Sequence, residues 1–60
     1  MKLIDLLNLT YTYTEILIYD KGIMQGNFYA SPKQVPDKYI EKEIDQVSTN
    51  ECGTLEILLK

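Results

Sequence analysis

Few side chains in this sequence are equipped for covalent or acid–base chemistry, and their types set the first limits. Cys52 is the single cysteine and histidine is absent. One chain therefore cannot assemble the cysteine–histidine or serine–histidine pairs of nucleophilic catalysis, nor the His/Cys ligand sets of ordinary zinc sites. Cys52 is preceded by Glu51 and followed by Gly53, with no cationic neighbour. A carboxylate beside a thiol disfavours the thiolate, so Cys52 reads as a turn residue without redox duty. Glu41 and Glu43 could be written as a glycosidase-type carboxylate pair, but such a pair works across a cleft that buries its sugar, and 60 residues scarcely enclose one. No Asp-x-Asp-x-Asp-Gly loop is present to hold Ca²⁺, and Gly22, Gly26 and Gly53 are too dispersed to cradle a phosphate. The expectation is a chain with no catalytic residue, no metal and no cofactor.

Direct binding of nucleic acid is disfavoured by the same composition. Arginine is absent, the six lysines are scattered and the net charge is −3, so phosphate is repelled. Phe28 and Tyr29 could stack on bases from a strand, but aromatic strand residues of so small a domain more often serve its core.

The composition instead offers two surface features. Residues 37–56 carry Asp37, Glu41, Glu43, Asp45, Glu51 and Glu56 against Lys38 and Lys42, a local balance of −4 that leaves +1 for the rest. On a strand, Glu41, Glu43 and Asp45 would share one face at intervals of about 7 Å. On a helix, Glu41 and Asp45 would align instead. Either geometry gives an acidic stripe. Its plainest role is a solvated face. Its sharper role is docking onto the basic groove of a nucleic-acid-handling protein, where carboxylates stand in for phosphates. Tyrosine is the second feature, with five among the 60 residues. Its ring adds contact area and a hydroxyl at low entropic cost, which suits interfaces. The expected partner-binding set is Tyr11, Tyr13, Asp37, Tyr39, Glu41, Glu43 and Asp45.

These residues need elements to position them. Leu3, Ile4, Leu6 and Leu7 recur at helical spacing with Asp5 and Asn8 turned out, which predicts a short amphipathic helix over residues 2–9. The β-branched and aromatic run Tyr11–Thr14 flows into Glu15–Tyr19, apolar on both sides of a pleat, and predicts a strand covered on both faces with the helix as one cover. Asp20-Lys21-Gly22 supplies turn chemistry, with Gly22 suited to a left-handed position, so residues 23–30 are expected to return antiparallel. Ser31-Pro32 and Val35-Pro36-Asp37 punctuate a connector over 31–40 holding one or two helical turns, with Ser31 as N-cap. Strands follow over 43–49 and 54–59, joined by Asn50-Glu51-Cys52-Gly53. Leu55, Ile57 and Leu59 alternate cleanly. Ile44 and Val47 do not, which requires either a bulge between them or a helical turn that runs on past Ile40. The fold class is α+β: one domain over residues 1–60, with an antiparallel sheet of about four strands in two hairpins, an N-terminal helix and a short helical connector.

No stretch approaches the length of a membrane span, and Asp5 interrupts the apolar N-terminal run before it could act as an export signal. A lone cysteine fits a reducing compartment, so the expected location is cytoplasmic. A core this small also predicts marginal stability, which a homodimer would relieve.

The run Thr14-Glu15-Ile16-Leu17-Ile18-Tyr19-Asp20, with Leu6-Leu7 before it and Val35-Pro36-Asp37-Lys38-Tyr39-Ile40 and Leu55-Glu56-Ile57-Leu58-Leu59 after it, resembles small accessory proteins of phages and mobile elements of Gram-positive bacteria. The resemblance implies a small, non-catalytic, protein-binding chain. It extends to inhibitors of host defence such as anti-CRISPR proteins, which would act in the host cytosol. It carries over no residue roles.

Overall fold

The computed structural model describes residues 1–21 and 25–60. Its elements, in chain order, are helix α1 (Leu3–Leu9), strands β1 (Ile16–Tyr19) and β2 (Asn27–Tyr29), a 3₁₀ turn (Pro32–Gln34), helix α2 (Asp37–Ile40), and strands β3 (Ile44–Thr49) and β4 (Leu55–Leu59). The chain is an α+β domain with a four-stranded sheet in the order β2-β1-β4-β3.

Helix α1 follows the predicted pattern, burying Leu3 and Leu7 one turn apart and exposing Asp5 and Asn8. No side chain caps its start. One orphan amide of its first turn is satisfied from across the fold instead, as Leu3 N–H donates to the Lys42 carbonyl at 2.9 Å. The first helix is thereby tied to the entrance of β3. At the other end the Thr10 hydroxyl donates to the Leu6 carbonyl at 2.7 Å, where the chain leaves the helix.

Both expected hairpins form: β1 pairs antiparallel with β2, and β3 with β4. The left-handed position expected at Gly22 and the strand start expected at Ile23 lie outside the described residues, and within the described part of 23–30 the strand spans Asn27–Tyr29. The second turn closes as anticipated, with Gly53 at φ +81° and its N–H donating to the Asn50 carbonyl at 3.0 Å. Of the two explanations for the broken alternation, the bulge is the one found. The register shifts between Ile44 and Gln46, and α2 stops at Ile40. Pro32 takes the first position of the 3₁₀ turn after Ser31, although the Ser31 side chain makes no capping bond.

Three features differ from expectation, each for a physical reason. The hairpins do not sit side by side in sequence order. β4 lies next to β1 and runs parallel to it, so the sheet is mixed although mostly antiparallel. This order puts the two most apolar strands, Ile16–Tyr19 and Leu55–Leu59, at the centre, and leaves polar β3 and short β2 as edges. Next, residues 11–14 form a turn closed by Thr14 N–H to the Tyr11 carbonyl at 3.0 Å, so β1 begins only at Ile16. Finally, among the described residues β1 is covered on one side only. Ile16 and Ile18 are buried whereas Leu17 and Tyr19 are half-buried. Both amphipathic helices spend their apolar sides on the same sheet face, where Leu3, Leu7 and Tyr39 meet Ile16, Ile18, Ile57 and Leu59 in one cluster.

Candidate functional site

The pairing registers assign the paired sheet residues to faces. Ile16, Ile18, Leu55, Ile57 and Leu59 point to the helices. The opposite face carries one row running Phe28, Leu17, Glu56, Ser48 and a second running Tyr19, Leu58, Gln46. Phe28 is 56% exposed, Leu17, Tyr19, Glu56 and Leu58 are half-buried, and Gln46 and Ser48 are exposed. Tyr19, Gln46, Ser48, Glu56 and Leu58 line a shallow hollow of about 190 Å³. This face is apolar at the β2 and β1 side and polar at the β3 side, with the Glu56 carboxylate between.

The structure disperses the expected contact set. Tyr11 and Tyr13 are exposed and stack edge to face with ring centroids 5.5 Å apart, at the end of the sheet where β1 and β4 begin. Glu41, Glu43 and Asp45 lie at the other end, where β3 begins, so the tyrosine pair and the acidic residues do not form one patch. Asp37 lines a third region, a cleft of about 390 Å³ between α1 and the connector that also involves Ile4, Leu7, Lys33 and Ile40.

Tyr39 lies inside the fold and not at the surface, where a contact residue was expected. It is 2% exposed and belongs to the core, where its ring meets Tyr29 edge to face at 6.5 Å and its hydroxyl accepts a hydrogen bond from Asn27 Nδ2 at 3.1 Å. The α2 turn places its side chain inward, under the Lys38 and Lys42 ammonium groups at 5.0 and 5.7 Å from the ring centroid. Burial raises the pKa of the neighbouring Tyr29 hydroxyl, with Tyr39 adding to the effect.

The acidic stripe is also less free than its sequence spacing implies. It is neither strand nor helix throughout: Glu41 follows α2, Glu43 makes an isolated bridge with Lys2, and Asp45 sits at the bulge. Glu41 accepts from Lys2 Nζ and Glu43 from the Met1 ammonium, each at 3.1 Å. The bond to Glu41 raises the pKa of Lys2, and the bond from the Met1 ammonium lowers that of Glu43. Lys42 Nζ reaches Asp20 at 2.7 Å, and this bond holds the Asp20 carboxyl below its usual range. Among the described residues Asp45, Glu51 and Glu56 make no ion pair.

Sequence reasoning missed the exposed sheet face. Its signal is present in Ile16-Leu17-Ile18-Tyr19, apolar on both sides of a pleat, but the second cover that this pattern implies is not supplied by the described residues. Among the described residues there is no cluster of His, Cys, Asp and Glu able to hold a metal ion, and no helix is long and apolar enough to cross a membrane. Comparison with protein-family models, with curated proteins and with solved structures finds no match to this chain.

Proposed function

We propose that this chain is a non-enzymatic binding protein whose contact surface is the uncovered sheet face, and that its partner is a protein presenting a cationic groove. The observation that carries the reading is Phe28, 56% exposed on a face that also half-exposes Leu17, Tyr19 and Leu58. A large aromatic group standing beside aliphatic neighbours matches the composition of interface cores. Glu56 within that face and the net charge of −3 favour a basic counterpart, both for steering and for specificity. In the setting of the phage accessory proteins that the sequence resembles, this activity is inhibition of a host defence nuclease by occupation of its nucleic-acid channel.

A photo-reactive phenylalanine at position 28 tests the reading. It is expected to cross-link to one basic protein, with Leu9 as the exposed control position on α1 giving no such product. Equal cross-linking from both positions would refute it. The same apolar face supports a second reading, a homodimer seam. Sedimentation across concentration separates the two, since a seam raises the mass of the pure protein and a hetero-partner surface does not.

A further inference from the structure

Three neighbouring strands build the shallow hollow on the uncovered face. Leu58 stands opposite Tyr19 on one side and Gln46 on the other, while Glu56, two residues back along β4, stands opposite Ser48. Side chains on one face repeat every second residue, so these groups close around one space of about 190 Å³. That is below the roughly 300–1,000 Å³ of pockets that enclose a whole small ligand, and it suits one inserted side chain. The sign of its charge is set by Glu56, which is half-buried and, among the described residues, meets no cation. A carboxylate taken partly out of water calls for a counter-charge. Ser48, Gln46 and the Tyr19 hydroxyl add neutral acceptor oxygens around it, and the Tyr19 ring adds an aromatic wall.

We infer that this hollow receives a single arginine side chain of the partner protein, an inference that rests on the uncovered face being the contact surface. A guanidinium presents five N–H donors in a planar fork, enough to engage the Glu56 carboxylate and the neighbouring oxygens together, and it stacks on aromatic rings. It is also more weakly hydrated than an ammonium group, so it enters a hollow walled by Tyr19 and Leu58 at lower cost than lysine does. A second copy of the chain cannot supply this group, because the sequence contains no arginine. Nor does the face compensate itself. A two-fold seam would bury two Glu56 carboxylates among Leu17, Tyr19, Phe28, Gln46, Ser48 and Leu58, none of them cationic.

The experiment is an NMR titration of the ¹⁵N-labelled chain, with no partner present, using acetyl-Leu-Arg-Leu-amide and the same tripeptide carrying lysine or citrulline for arginine. Citrulline keeps the shape of arginine and removes its charge. The arginine peptide is expected to shift the amides of Gln46, Ser48 and Glu56. It is expected to bind about fivefold more tightly than the citrulline peptide, and more tightly than the lysine peptide. Glu56→Gln is expected to keep the spectrum of a folded chain and to remove the preference for arginine over citrulline. Equal affinity for those two peptides overturns the inference, as do shifts confined to Tyr11 and Tyr13 or to the cleft beside Asp37, or no shift with any peptide at millimolar concentration. A lysine peptide that binds as tightly as the arginine one overturns it in favour of an ammonium group, which a second copy does carry. The cross-link from position 28 is read separately. A cross-link without arginine selectivity refutes the hollow alone, and arginine selectivity without a cross-link refutes the partner reading and leaves the arginine site standing.

Discussion

Tyr19 lies across Gly26: a Cβ placed on the glycine would stand 2.9 Å from the tyrosine Cε1 and 2.9 Å from Leu17 Cδ1. The two half-buried side chains of β1 occupy the space that a side chain before β2 would fill, and this sets the contour of the uncovered face beside Phe28. Gly26→Ala must push both side chains aside. The expected cost is about 1–3 kcal/mol, read as a lower thermal midpoint. An unchanged midpoint would mean that Leu17 and Tyr19 yield freely and that the face is not fixed.

Tyr39 is buried in the core, so its hydroxyl and its ring separate in effect. Tyr39→Phe removes the bond from Asn27 and is expected to cost about 0.5–1.5 kcal/mol in denaturant unfolding while leaving partner affinity unchanged. Tyr39→Ala opens a cavity beside Ile18 and Ile57 and is expected to cost about 3–5 kcal/mol, which a domain of this size does not survive at ordinary temperature. Weaker partner binding by a fully folded Tyr39→Phe would restore the residue to the contact surface.

Acid is expected to destabilise the fold through two carboxylates. Lys42 lowers the pKa of Asp20 and the Met1 ammonium lowers that of Glu43. The unfolded chain therefore holds more protons than the folded one as pH falls through the carboxylate range near 4. Their contribution is present above that range and is lost as pH drops through the folded-state values. Asp20→Asn should flatten the acid limb of a midpoint-against-pH curve, and Lys42→Met should do the same. Lys2 has the opposite sign: its pKa is raised by Glu41, so its contribution persists through neutral pH and is lost only above the ordinary lysine value of about 10.4. An acid limb unaltered in Asp20→Asn would show that the ion pair with Lys42 does not contribute.

What could be read from the sequence depended on whether a signal was local. The helical spacing of Leu3, Leu6 and Leu7, the Asn50–Gly53 turn and the interruption between Ile44 and Val47 each act within a few residues, and each has its counterpart in the fold. The parallel pairing of β1 with β4 joins segments about forty residues apart, and nothing within either strand names the other. For the contact surface, Tyr11 and Tyr13 are exposed as expected, whereas the fate of Tyr39 depended on which way a one-turn helix faces. Glu41 and Glu43 read as free because their cations come from the distant N-terminus. Phe28 was assigned to a core on composition, but its parity with Leu17 places it on the side away from both helices.

The most direct measurement is the dissociation constant of the protein cross-linked from position 28, compared between the unaltered chain and Phe28→Ser at low and moderate salt. The substitution is expected to change stability by less than about 1 kcal/mol, since the ring is already exposed. A central contact on the uncovered face predicts at least about a tenfold loss of affinity in Phe28→Ser. Docking onto a basic groove further predicts weaker binding by the unaltered chain as salt rises. Equal affinity for the two proteins under both conditions would contradict the account.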